Sequence, residues 1–149
     1  MNKKYFILFY LILAFLEMPA QGVPADQVPS VFSDSLNQKF PGSQNIYWSK
    51  LANSYKVDFT DAKGNESEIE FDAQARWITI AGKCPGDCQK SLPAPVRSGL
   101  KKAAKGGSVE SLIVFKRRGF PVVYFANIVK GEMSRYITLD EKGKEITNK

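Results

Sequence analysis

Apolar residues recur along this chain in two rhythms. Phe32, Leu36 and Phe40 stand four apart, as do Val96, Leu100 and Ala104. Apolar positions four apart make one buried stripe on a helix. Pro29 suits the first turn of the first helix and Pro41-Gly42 ends it; Leu92-Pro93 opens the second and Gly106-Gly107 ends that one. After each helix the period falls to two, the pattern of half-buried strands. In the first stretch Ile46 and Trp48 alternate with their neighbours, then Tyr55, Val57 and Phe59, then Ile69 and Phe71, then Ile78 and Ile80. Asn53, Gly64 and Asp72-Ala73-Gln74 fall between these runs as turns.

The second stretch follows the same plan. The helices match at an offset of 64 residues and the later strands at 68, which sets Val57 against Phe125, Ile69 against Ile137, Phe71-Asp72 against Leu139-Asp140 and Ile78 against Ile146. The four extra residues enter around Lys116-Arg117-Arg118-Gly119-Phe120-Pro121. The expected fold is α+β: a tandem repeat of one helix packed on a roughly four-stranded antiparallel sheet. Residues 21–80 form the first unit, 81–91 a linker with the cysteine pair, and 92–149 the second unit. Each helix covers one face of its sheet and leaves the other more polar. On this register Tyr55, Phe59, Phe71 and Phe125 point to the core, while Tyr47, Trp77, Tyr124 and Tyr136 point to the open face.

Residues 1–20 read differently. Met1-Asn2-Lys3-Lys4 is a short positive start, and the apolar run from Tyr5 to Leu16 is twelve residues. A spanning helix needs roughly 20. Glu17-Met18-Pro19-Ala20-Gln21-Gly22 then supplies a helix breaker and small residues, so a cleavable secretory signal peptide is expected. Cleavage after Ala20 or after Gly22 would both leave a small residue at the cut; Ala20 is favoured. The protein is therefore expected in the periplasm or secreted, touching the membrane only transiently during export.

The strand and helix residues carry a resemblance. Val28-Pro29 leading to Phe40-Pro41-Gly42, then Asn45-Ile46-Tyr47-Trp48, Tyr55-Lys56-Val57-Asp58-Phe59, Ile69-Glu70-Phe71-Asp72 and Arg76-Trp77 resemble the PepSY-like family, beta-lactamase-inhibitor-like proteins exported by Bacteroidetes. The likeness spans roughly residues 26–147 and is better in the first half, since Leu112 stands where Trp48 would recur. It implies helix-on-sheet units in tandem and a non-catalytic role in binding or inhibiting another exported protein, a peptidase or a beta-lactamase-type enzyme. It brings no active-site residues.

Composition narrows the chemistry. The chain is 44% hydrophobic and 24% charged, ordinary for a globular protein, and it has no histidine. Histidine-based triads and zinc sites are thereby excluded. Charge is uneven: residues 21–80 hold five basic and eight acidic side chains, whereas residues 92–149 hold twelve and five. Cys84 and Cys88 are expected to pair, as two cysteines in an exported chain usually do; a redox pair, a two-thiolate metal site and free thiols are the alternatives. Glu66, Glu68 and Glu70 share one strand face, which suits calcium or acid–base work, but Lys56 on the next strand makes a solvated face the simpler reading. Lys101-Lys102, Lys105 and Lys116-Arg117-Arg118 show no nucleic-acid reader motif.

No metal, cofactor or nucleic-acid partner is expected, and no enzyme. The leading expectation is an exported protein-binding module using Tyr47, Trp77, Tyr124 and Tyr136, since large amphipathic rings anchor protein interfaces; a face covered by the other unit or by a second subunit would carry the same rings. The alternative is binding of a small ligand or an anionic envelope polymer through the basic second half.

Overall fold

The computed structural model describes residues 21–84 and 88–146. The expected signal peptide, residues 1–20, lies outside them. Pro29, with φ fixed at −54°, delivers the chain into helix α1 (Ser30–Lys39), and Pro93 at −52° does the same for α2 (Ala94–Ala104). Helix α1 closes on Phe40, whose N–H donates to the Leu36 carbonyl at 2.7 Å, and Gly42 takes the positive φ that turns the chain back. Helix α2 ends on Lys105 and Gly106, both left-handed. Phe32 and Leu36 of α1, and Val96, Leu100 and Ala104 of α2, are the buried stripes that the four-residue spacing predicts.

Among the described residues eight strands follow the chain: β1 Gln21–Val23, β2 Gln44–Lys50, β3 Ser54–Thr60, β4 Glu66–Asp72, β5 Trp77–Cys84, β6 Ser108–Arg117, β7 Val123–Lys130 and β8 Met133–Leu139. They form one antiparallel sheet in sequence order. This corrects the expected tandem repeat on separate four-stranded sheets. β5 and β6 pair from Thr79 opposite Arg117 to Cys84 opposite Leu112, so the two sets of strands are joined. Two separate sheets would leave both strands as unpaired edges, and joining them satisfies those backbone groups. Periodicity reports which face a strand buries and is blind to what pairs along its edge.

Both helices cover the same face. Ile80, Gly82 and Cys84 alternate along β5 on one side; Ile80 joins the core under α1, while Cys84 packs on the core under α2. The first core sets Phe32 and Leu36 on Trp48, Val57, Phe59, Ile69 and Phe71, with the Phe32 and Tyr55 rings 4.3 Å apart. The second sets Val96, Leu100 and Ala104 on Leu112, Tyr124, Ala126, Ile128, Ile137 and Leu139.

Five expected side-chain directions are overturned. Tyr124 is 5% exposed and belongs to the second core, whereas Phe125 is 43% exposed on the opposite face. The cause is a slip of one residue. Val57 lies opposite Ile69 in β3–β4, and it is Ala126, not Phe125, that lies opposite Ile137 in β7–β8. With a period of two, one residue inverts every side chain on the strand. Trp77 is drawn to the helix face because the β4–β5 register shifts after Glu70 and sets Trp77 opposite Phe71. Its ring lies under Lys39, 5.0 Å from the ammonium. Ile46 is exposed, beside the irregular register between Gln44 and Tyr47 where Asn45 takes φ +50°. Ile146, matched to Ile78 in the expectation, is also exposed; its N–H reaches the Thr138 carbonyl, and Glu145 bridges Leu139.

Candidate functional site: the open face of the sheet

Alternation places three ladders of side chains on the face away from the helices. One runs Tyr47, Asp58, Glu68, Ala81, Phe115, Val123 across β2 to β7. A second runs Lys83, Ile113, Phe125, Thr138 across β5 to β8, and a third Ser111, Asn127, Tyr136 across β6 to β8. Tyr47 and Tyr136 are 70% and 80% exposed, so two of the four expected aromatics stand on this face, near its two ends. Six strand spacings separate them, about 29 Å at ~4.8 Å each. Trp77 and Tyr124 are on the other side.

Ile113, Phe115 and Phe125 take their place. The Phe115 and Phe125 rings meet edge to face at 6.1 Å, and Ile113 and Phe125 are exposed. The period-two reading passed over Ile113 and Phe115 and set Phe125 in the core, yet a signal for the first two was there. Leu112-Ile113-Val114-Phe115 is apolar at four successive positions, which is how a strand with two apolar faces reads.

The β3–β5 part of the face is charged and internally paired. Lys56 Nζ lies 3.0 Å from Glu68 and 3.5 Å from Asp58, Lys83 Nζ lies 2.9 Å from Glu66, and the Ser54 hydroxyl donates to Glu70 at 2.8 Å. Partial burial pushes the Lys56 ammonium down, but the hydrogen bond and charge of Glu68, helped by Asp58, outweigh it and raise the pKa above its ordinary value. The three glutamates thus form a solvated face on which Lys56 and Lys83 compensate only part of the charge of Asp58, Glu66, Glu68 and Glu70. Among the described residues no group of three or more cysteine, aspartate or glutamate side chains is placed to hold a metal ion. Tyr47, Asp58, Glu66, Glu68, Lys83 and Ile113 line a shallow concavity of about 530 Å³. At the β6–β8 end the buried Asn127 carboxamide donates to Glu110 at 2.7 Å and accepts from the Ser134 hydroxyl at 2.6 Å.

Two other expected features are placed away from this face. Cys84 and Cys88 form a disulfide with Cα atoms 5.7 Å apart, packed against the second core. Lys101, Lys102 and Lys105 are exposed on and just after α2; Lys116, Arg117 and Arg118 are exposed where β6 ends, and Arg118 reaches Asp72 at 3.2 Å.

Known structures share this architecture. A BLIP-like protein from Bacteroides fragilis superposes with a TM-score of 0.62 at 18% identity, over 91% of this chain and 89% of that one. A protein described as periplasmic, from Bacteroides eggerthii, superposes with a TM-score of 0.64 at 19% identity, over 80% of this chain and 86% of that one. No curated protein matches the sequence. The family described as "Putative beta-lactamase-inhibitor-like, PepSY-like" matches residues 53–144, from the start of β3 to the turn after β8. The chain belongs to that PepSY-like family.

Proposed function

We propose that this protein is an exported, non-enzymatic binding module whose open sheet face engages another exported protein, acting as an inhibitor of a peptidase or beta-lactamase-type enzyme. One observation carries the reading: Ile113, Phe115, Phe125 and Tyr136 form an apolar and aromatic surface on the face that neither helix covers. Its acidic neighbours Asp58, Glu66 and Glu68 suit a partner with basic side chains beside an apolar patch. A face about 29 Å wide and roughly 20 Å along the strands offers on the order of 600 Å², near the ~800 Å² that each partner gives to a standard interface. Family membership and the likeness to a BLIP-like fold support the binding role. Export is supported by the amino-terminal pattern of charge and apolar residues and by the relative described as periplasmic.

The test is capture of a partner from periplasmic extract at low and high salt. Binding through the apolar face persists as ionic strength rises, whereas binding of an anionic polymer by the lysines of the second half collapses. The captured protein's activity, measured with and without this chain, decides between inhibition and simple binding.

A further inference from the structure

A groove of about 710 Å³ lies on the helix side of the molecule, between α2, the short 3-10 turn Cys88–Ser91 and the start of β6. Ligand pockets span about 300–1,000 Å³. Its polarity runs in one direction. At the end near the start of α2 stand Lys90 and Arg97, tied together because Arg97 Nη1 donates to the Lys90 carbonyl at 2.7 Å. At the other end lie Ala104 and Val109, with Leu100 in the wall between. Lys101 flanks the middle, and no acidic side chain among the described residues lines the groove.

We propose that this groove binds a single-chain amphiphilic anion, its head on Arg97 and Lys90 and its acyl chain along Leu100, Ala104 and Val109. The inference is independent of the open face, which lies on the other side of the sheet. Among the described residues Arg97 makes one hydrogen bond, to the Lys90 carbonyl, and its other N–H donors can grip a carboxylate or phosphate. The orientation agrees with the helix, whose amino-terminal end favours negative charge and whose carboxy-terminal end disfavours it. From Arg97 to Ala104 the helix rises about 10 Å, room for a medium-length acyl chain.

Calorimetric titration of the purified protein with laurate, below its micellar concentration, tests this. One laurate per chain is expected to bind saturably. Dodecyl phosphate binding alongside laurate would make the shared anionic head the determinant; laurate alone binding would restrict the site to carboxylates. Lys90→Gln with Arg97→Gln should weaken laurate at least tenfold, while Lys142→Gln with Lys144→Gln, the same charge change elsewhere, should alter it less than twofold. Dodecanol should bind at least tenfold more weakly, and acetate not measurably. Absence of saturable binding, acetate matching laurate, or equal weakening by both double variants overturns the proposal. Thermal melts confirm that the variants, all at exposed positions, remain folded.

Discussion

Tyr124 and Phe125 are chain neighbours with opposite duties. Tyr124→Ala should cost about 3–5 kcal/mol, the usual loss for a core aromatic, because its ring fills the second core. Phe125→Ala should cost less than about 1 kcal/mol, since its ring is on the open face. Chemical denaturation of both variants checks the order, and a reversed order would restore the register that the offset of 68 suggested. Asp61 and Asp72 respond to acid. Partial burial pushes both carboxyls up, but backbone N–H groups outweigh it, from Asn65 and Lys63 on Asp61 and from Arg76 and Gln74 on Asp72, where the Arg118 guanidinium adds to them. Their pKa values therefore lie below the ordinary carboxylate value. The stabilisation they give is present above about pH 4 and is lost as pH falls through the lowered values. Melting temperatures should drop on acidification below that point, and Asp72→Asn should flatten part of the fall.

At the scale of elements, three turns share one construction. Asp61, Asp72 and Asp140 each accept backbone N–H groups two and four residues on, and Gly64, Ala75 and Gly143 take the positive φ. Two of the three were legible as turns in the sequence, and so were both helices, because proline, glycine and a four-residue apolar stripe are local signals. The turns' consequence for register was not legible. The β3–β4 loop spans five residues and the β7–β8 loop two, and only the paired strands reveal that the difference inverts β7. Gly99 is a tertiary requirement within a helix. A methyl there would run into the Gly143 backbone, so Gly99→Ala should lose stability, although alanine is favoured in helices by about 0.5–1 kcal/mol. Gly22→Ala, which meets open space, is the control in the same melt. Replacing Cys84 and Cys88 with serine should leave cooperative folding intact, at a cost of roughly 2 kcal/mol or less for so small a ring.

The whole molecule is one sheet with two cores on one side and a free face on the other. Because β5 and β6 share a full ladder, the two cores should unfold together. Trp48 and Trp77 fluorescence reports on the first core, amide exchange in β7 reports on the second, and one midpoint is expected from both. Joining the strands also gives the free face its width, from Tyr47 on β2 to Tyr136 on β8. Exposed aromatic side chains on that face were anticipated from the alternation of apolar residues, but half of its membership was not. The bulge at Ile78, next to Trp77, and the slip at Tyr124 depend on long-range pairing, which a single sequence does not display. The central claim is that this face binds the partner. It is tested most directly by the affinity of the captured protein for Phe125→Ala and Tyr136→Ala, with each variant's melt alongside. Each variant should weaken binding by about 1 kcal/mol or more, as truncated aromatic anchors do, with the melt nearly unchanged; undiminished affinity in both would contradict the account.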